Sequence, residues 1–138
     1  MLEQYKERFS DLVYKRALHI VEENERVVQG LRCLENNDIY GFGRLMFESH
    51  WSSSKNYEVS CRELDFLIEF ASNFNGVIGA KLSGGGFGGC TVNLVESDKA
   101  ERFCASVQEA YNKEFPVQCI VNEVEIGEGA GAELVSLQ

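Results

Sequence analysis

The stretch from Lys81 to Thr91, KLSGGGFGGCT, holds the residues of this chain that are best suited to chemistry. Five of the six residues from Gly84 to Gly89 are glycine, and the exception is Phe87. Each glycine costs roughly 0.5–1 kcal/mol against alanine in an ordered setting, but it reaches backbone angles closed to other residues. Successive N–H groups of such a loop can form a nest for an anion. The run therefore predicts a phosphate-related function rather than a bare hairpin turn, which needs only one or two glycines.

Three known glycine motifs can be compared with this run. Gly84, Gly86 and Gly89 fit the dinucleotide fingerprint G-x-G-x-x-G, which needs a strand before it and a helix after it. The residues that follow, CTVNLV, are typical of a strand instead. No Gly-Lys-Ser/Thr closes the run, as a Walker A loop requires. A protein-kinase glycine loop does lie between antiparallel strands, but the VAIK, HRD and DFG segments of that family do not follow.

Charge and composition exclude several other classes of function. The net charge of −9 argues against a face that binds nucleic-acid phosphates through basic side chains. The five cysteines are odd in number and form no CxxC, which argues against a disulfide framework and a zinc site. No apolar run approaches the roughly 20 residues that span a bilayer. The N-terminus is polar rather than a signal peptide. We therefore expect a cytoplasmic protein that binds neither nucleic acid nor membrane.

Helices are predicted ahead of the glycine run. Apolar residues recur at steps of three and four over residues 3–35. Asp38 is a plausible N-cap for a second helix over 38–53, in which Gly41 and Gly43 indicate close packing against a neighbour. Ser60 and Glu63 fit a capping box that starts a third helix ending near Asn73.

The second half of the chain predicts strands around the glycine run. The segments Val77–Leu82 and Cys90–Val95 are strand-like. A helix follows from Ser97 or Asp98 to about Lys113, and Val117–Ile126 is interpreted as a final strand. We interpret residues 1–138 as one α+β domain, in which helices pack on a small antiparallel sheet.

Four stretches of the sequence resemble one enzyme family. The segment KLSGGGFGGCTVNLV is similar to the third conserved motif of the GHMP small-molecule kinases, in the form typical of galactokinases. The stretches ALHIVEENERV (17–27), FGRLMFESHWS (42–52) and YEVSCRELDFL (57–67) agree, in the galactokinase order and at similar spacing. The resemblance covers about residues 14–130. It implies the ferredoxin-like C-terminal domain of that family. It also implies an ATP- and Mg²⁺-dependent transfer of the γ-phosphoryl group to the anomeric hydroxyl of galactose.

The resemblance also implies where the site lies. A glycine-rich wall of the active-site cleft would consist of Ser83, Gly84, Gly85, Gly86, Phe87, Gly88 and Gly89. Ser83 stands where threonine is usual and keeps the hydroxyl, while Lys81 replaces a common arginine and keeps the charge but not the planar fork. The sugar-binding signature, the ATP-binding motif and the catalytic Asp and Arg belong to the N-terminal half of the family. We therefore expect no catalytic residue and no metal ligand in this chain, and no activity without that partner half.

Several alternatives stay open. The chain could be a stand-alone binding module that forms a homodimer through the face normally covered by the N-terminal half. It could also belong to another GHMP kinase, such as a mevalonate or homoserine kinase. Phe87 either wedges the loop against the partner domain or anchors it in the local core. We expect Asp65 to face solvent and His50 to pack within its helix.

Overall fold

The computed structural model describes residues 2–127 and 129, and most of them lie in helices. No helix in these residues is both long and apolar enough to span a membrane. The chain begins with a 3₁₀ helix and continues through four α-helices and a two-stranded sheet. The elements are the 3₁₀ helix Leu2–Arg8, α1 (Asp11–Glu35), α2 (Ile39–Ser52), a π-helical turn (Ser53–Tyr57), α3 (Arg62–Asn73), β1 (Val77–Ser83), β2 (Cys90–Val95), a 3₁₀ turn (Ser97–Lys99) and α4 (Ala100–Glu114).

The helix starts confirm one predicted cap and correct two other predictions. Asp38 caps α2 as expected, because its Oδ1 accepts the Gly41 N–H at 2.9 Å. The helix predicted over 3–35 is interrupted, since Ser10 caps a new helix by accepting the Val13 N–H. The capping box is wrong: α3 begins at Arg62, and the Ser60 hydroxyl donates to Asp65 Oδ1 at 2.6 Å instead.

The two strands form an antiparallel hairpin that the glycine run connects. The pairing extends from Val77 opposite Val95 to Ser83 opposite Cys90, with an irregularity between Val77 and Gly79. The glycine run therefore lies between two paired strands, which confirms the predicted hairpin. A dinucleotide fingerprint would need a helix at this point.

The third predicted strand, Val117–Ile126, is wrong. These residues form no strand in the part of the chain that the structure describes, and Ile126 is 94% exposed. A strand needs a neighbouring edge to satisfy its backbone groups. Here side chains of α4 take that role: Gln108 Nε2 donates to the Cys119 carbonyl at 2.8 Å, and the Cys119 N–H donates to Asn112 Oδ1 at 2.7 Å.

The core lies between the hairpin and the helices α3 and α4, which confirms the α+β class. Ile68 and Ala71 of α3, Ala80 of β1, and Phe103 and Val107 of α4 form one buried cluster. Because the cluster joins three elements, it holds β1 in place beneath the helices.

Helix α2 crosses β1 at backbone contact distance. A Cβ placed on Gly43 would overlap the carbonyl group of Ile78, and one placed on Gly79 would overlap the backbone of Gly43. Both glycines are buried. The close packing that Gly43 indicated is therefore observed, whereas Gly41 lies against the capping side chain of Asp38.

Helix α1 packs on α2 along only one side. His19 and Gly30 are its buried residues. A continuous half of its surface remains uncovered by the described chain, and we call it the α1 apolar face. Its side chains are between 41% and 72% exposed, and they are Leu12, Val13, Ile20, Val21, Val27, Val28, Leu31 and Leu34. An exposed apolar surface of this length marks a site of interaction.

Candidate functional site

The glycine loop, Gly84–Gly89, has an unusual backbone. Four of its glycines have positive φ: +83° at Gly84, +81° at Gly86, +133° at Gly88 and +91° at Gly89. Gly85 lies between two of them without a positive φ. A turn conformation in which such residues expose successive N–H groups can form an anion nest. Four of the five glycines are therefore required by backbone angle, as the sequence indicated, and Gly85 is the exception.

The loop is attached to the chain segment before α3. The Phe87 N–H donates to the Val59 carbonyl at 2.6 Å. Gly86 lies so close to that carbonyl that a Cβ would overlap it. Gly84, Gly85, Gly88 and Gly89 have open space around the position of a Cβ. Glycine is thus required at position 86 for two reasons, which are its positive φ and its close approach to the Val59 carbonyl.

The remaining loop amides are available to a ligand. Outside the strand pairing, the Phe87 bond is the one backbone hydrogen bond of the loop within residues 2–127 and 129. Ser83, Gly84, Gly85 and Gly89 are exposed. Exposed N–H donors on a fixed backbone suit a phosphate oxygen or a developing negative charge.

A groove of about 590 Å³ lies beside the loop, between α1, the π-helical turn and β1. Ser83, Gly84 and Gly85 line it, together with Lys81 and His19. Gly86, Phe87, Gly88 and Gly89 are not among its lining residues. The structure therefore brings the first half of the predicted site to the groove and leaves the second half beyond it.

The groove carries one cation and one carboxylate. Within the described chain, Lys81 has no acidic group within ion-pair distance. Glu23 accepts hydrogen bonds from Arg26 Nε at 2.5 Å and Ser49 Oγ at 2.8 Å. Burial alone would raise the pKa of the Glu23 carboxyl, but these two bonds and the positive charges of Arg26 and Lys81 together hold the pKa below its usual value. Glu23 is therefore a structural anion, and Lys81 is the cation left for a ligand.

The ring of His19 closes one side of the groove. It stacks on Tyr57 with ring centroids 4.6 Å apart, and its Nδ1 lies 3.0 Å from Ser52 Oγ. Burial lowers the pKa of His19, although the nearby Glu23 carboxylate opposes this effect. The ring is thus held neutral near pH 7 and serves as part of the wall.

A second buried histidine lies behind the loop attachment. His50 is 0% exposed, and its Nε2 is 3.1 Å from Asp65 Oδ1. The N–H is not aligned with that oxygen, and neither ring nitrogen has an aligned hydrogen bond in the described chain. Burial lowers the pKa of His50, against the opposing effect of the Asp65 carboxylate.

Both histidines should make the domain less stable in mild acid. Each has a folded-state pKa below its unfolded value of about 6.5. Between those two values the unfolded chain binds more protons, so the free energy of unfolding rises with pH. That stability is lost as the pH falls below about 6.5, with a limiting slope of about 1.4 kcal/mol per pH unit for each histidine.

Urea unfolding between pH 7.5 and 5.5 measures this dependence. The slope of unfolding free energy against pH should flatten in the variant H19N/H50N, whatever its absolute stability. An unchanged slope would assign the effect to other groups.

Asp65 is the residue that the sequence prediction placed wrongly. It does not face solvent freely: its side chain is 31% exposed and accepts the hydroxyls of Ser54 at 2.9 Å and Ser60 at 2.6 Å. One signal for this existed, because the helical period places Asp65 at the edge of the apolar stripe of Leu64 and Ile68. Its polar partners, Ser54 and Ser60, lie before the helix, so the helical period could not predict them.

Phe87 does not anchor the loop in the core. Its side chain is 76% exposed and its φ is +59°, a conformation that costs a non-glycine residue about 1–2 kcal/mol. The core-anchor interpretation is therefore wrong, and only the backbone of Phe87 is attached. An exposed aromatic side chain on a strained backbone is available to a partner.

The variant Phe87→Gly should change the free energy of unfolding by less than about 1 kcal/mol. Removing the exposed ring costs little, and relief of the positive φ offsets the added freedom of the unfolded chain. The control Phe103→Ala removes a core side chain that is 3% exposed, and it should cost about 3–5 kcal/mol. Chemical denaturation of both variants tests this, and a loss for Phe87→Gly as large as that of the control would place its ring in the core.

Comparison with known proteins identifies the class to which this hairpin and its glycine loop belong. The model of the family GHMP kinases C terminal matches residues 31–113, more than half of the chain. The chain therefore belongs to the GHMP kinase family, as a C-terminal domain.

Within that family the chain is similar to galactokinases, as the four motifs predicted. A galactokinase of Thermotoga neapolitana is 38% identical over 122 residues, which are 88% of this chain and 35% of the relative. A galactokinase of Bos taurus is 46% identical over 111 residues, 80% of this chain and 28% of the relative.

The structural comparison agrees. The crystal structure of Lactococcus lactis galactokinase complexed with galactose has a TM-score of 0.79 at 33% identity, covering 86% of this chain and 31% of that one. This chain spans about a third of the length of the relatives it matches.

Proposed function

We propose that this domain supplies one wall of the active-site cleft of a galactokinase, which transfers the γ-phosphoryl group of ATP to the anomeric hydroxyl of galactose. The observation that carries the proposal is the loop geometry: Gly84 and Gly86 have positive φ, and the exposed Gly84 and Gly85, which make no backbone hydrogen bond in the described chain outside the strand pairing, line a groove. The similarity to galactokinases over most of the chain supports the choice of substrate. We place the domain in the cytoplasm, in keeping with its five free thiols.

The proposed role of the loop is electrostatic. Phosphoryl transfer depends mainly on positioning and on stabilising charge, and preorganised N–H donors do both. Lys81, Ser83, Gly84 and Gly85 line the groove, and we assign the donor role to the two glycine amides, the Ser83 hydroxyl and the Lys81 ammonium. ATP supplies the phosphoryl group, and Mg²⁺ neutralises phosphate charge.

We assign the contacts to ATP phosphate to this domain and the contacts to Mg²⁺ to the rest of the enzyme. The loop amides suit phosphate oxygens. In contrast, no group of three metal-ligating side chains occurs in the described part of the chain. We therefore assign the Mg²⁺ ligands and the catalytic residues to the preceding, N-terminal half of the enzyme.

The α1 apolar face is the surface that we assign to that N-terminal half. Its eight apolar side chains lie on one half of a helix and the described chain leaves them uncovered, which is typical of a surface that contacts a partner. The exposed ring of Phe87 would contribute to the same contact near the cleft.

A chimera tests the proposed function. This chain would replace the C-terminal third of the Thermotoga neapolitana galactokinase, and ATP consumption would be measured with Mg²⁺ and either galactose or mevalonate. We expect turnover with galactose, and none from this chain alone or from the truncated enzyme. Robust turnover by this chain alone, or a preference for mevalonate, would overturn the assignment.

The same exposed face supports a second candidate, a homodimerising module without kinase activity. Sedimentation of the chain distinguishes the two. A stable dimer that resists dilution, together with an inactive chimera, would favour the module; a monomer that gains activity in the chimera would exclude it.

A further inference from the structure

The segment Glu58–Ser60, between the π-helical turn and α3, attaches the glycine loop to the rest of the domain. The Val59 carbonyl accepts the Phe87 N–H at 2.6 Å, and Gly86 packs directly against it. The Val59 N–H in turn donates to the Ser53 carbonyl at 3.1 Å. Glu58, with φ of +58°, reverses the chain just before this point. The position of one carbonyl group therefore decides where the middle of the loop lies.

The side chain of Asp65 holds this segment from the other side. One of its oxygens accepts the Ser60 hydroxyl at 2.6 Å, and the other accepts the Ser54 hydroxyl at 2.9 Å. Ser54 belongs to the π-helical turn, Ser60 follows Val59, and Asp65 lies in α3. The carboxylate thus links the residues on both sides of Val59 to a helix of the core. Hydrogen bonds to a charged acceptor are the stronger kind, and this carboxylate accepts two.

The buried ring of His50 lies behind this carboxylate. Its Nε2 is 3.1 Å from the Asp65 oxygen that accepts the Ser60 hydroxyl. The ring therefore fills the space on the core side, and the carboxylate is directed toward Ser54 and Ser60.

We propose that Asp65 is a positioning residue for the glycine loop, acting through Ser60 and the Val59 carbonyl on the Phe87 N–H. The carboxylate sets the position of Val59 through Ser60. The Val59 carbonyl then fixes the positions of Phe87 and Gly86. These two residues in turn orient the Gly84 and Gly85 amides. The assignment of those amides to the cleft rests on the proposed function. The mechanical connection from Asp65 to Phe87 does not.

Amide hydrogen exchange in the 138-residue chain tests this connection directly. In Ser60→Ala and Asp65→Asn, exchange of the Phe87 amide should speed up by about tenfold relative to the core amides of Ile68 and Ala71, because one charge-assisted bond is lost or weakened. Ser60→Thr keeps the hydroxyl and should restore slow exchange. The control Ser72→Ala removes an exposed hydroxyl bonded to the Glu69 carbonyl and should leave Phe87 unchanged.

The outcomes separate the two proposals. If Phe87 exchange is unchanged in Ser60→Ala, or rises only in step with the core amides, Asp65 does not position the loop. If exchange rises selectively but the galactokinase chimera is inactive even with the native loop, the positioning role stands and the proposed function fails. With an active chimera, Ser60→Ala should lower kcat more than it raises the KM for galactose, and Ser60→Thr should recover kcat.

Discussion

Replacing Gly86 with alanine should lower the kcat/KM of the galactokinase chimera by about 100-fold, while the domain still folds. The new Cβ would overlap the Val59 carbonyl, and φ at this position is +81°. The loop must therefore move away from Val59 and lose the Phe87 N–H bond. A displacement of about 1 Å in a positioned catalytic group is enough for an effect of this size. Because the loop lies outside the core, the melting temperature should fall only slightly.

The matched control is Gly85→Ala. It lies next to Gly86 in the same loop, but its φ is not positive and a Cβ there would meet no atom within contact distance. Because the loop can keep its position and the Gly85 N–H is retained, the kcat/KM of Gly85→Ala should fall far less than that of Gly86→Ala. Steady-state kinetics of the two variants, beside thermal unfolding of each, makes the comparison. Equal losses for both would show that the loop responds to any side chain, and the close approach to Val59 would not explain its glycines.

Replacing Gly43 with alanine should strongly destabilise the domain, by about 3 kcal/mol. Its Cβ would overlap the backbone carbonyl of Ile78 in β1, and backbone atoms cannot move aside as a flexible side chain can. Helix α2 would have to shift away from the sheet, which would also displace Phe42 and Met46 of α2 from the lining of the groove. Urea denaturation, with the slope checked for two-state behaviour, measures the loss.

Gly30→Ala provides the control for Gly43→Ala. It also lies inside a helix and is buried, but its nearest neighbour would be a side-chain carbon of Phe42 at 3.4 Å, an ordinary contact. The gain in helix propensity, about 1 kcal/mol, should therefore leave this variant as stable as the parent or more so. A tolerated Gly43→Ala would contradict the backbone contact between α2 and β1.

Features encoded in adjacent residues could be predicted from the sequence. The Asp38 cap depends on a side chain and an N–H three residues away, and the hairpin on two strand-like segments around a glycine run. The similarity of four motifs in order added the family. These signals are local or repeated, so no tertiary structure is needed to read them.

Features that depend on competition between partners could not be predicted. In the expected capping box the Ser60 hydroxyl oxygen accepts the Glu63 N–H, but in the structure the hydroxyl instead donates to the Asp65 carboxylate, which also lies within reach. The segment 117–126 has strand propensity, yet its pairing depends on which neighbour is close, and α4 side chains bind its backbone at Cys119. Local propensity does not decide between two partners that tertiary structure brings together.

The candidate site also combines features that are encoded in adjacent residues with features that depend on tertiary structure. The glycine loop was located correctly as a hairpin connection, but its attachment to Val59 joins residues 28 positions apart. The groove also depends on α1, whose His19 lies more than 60 residues before the loop. Contacts between residues so far apart leave no local pattern in the sequence. They could be predicted only from residue type, and neither Val59 nor His19 indicated its contact.

The bond between the Phe87 N–H and Val59 has a consequence for the entropy of the loop. It divides the run between the strand ends into two short spans, residues 84–86 and 88–89. Each short span has fewer accessible backbone conformations than one free span of six residues would have. The conformational freedom that glycine adds is therefore restricted within each span. The loop therefore combines the backbone angles that only glycine reaches with an order that a glycine-rich linker lacks. A ligand that binds the amides of the first half would find them already ordered and would lose less entropy on binding.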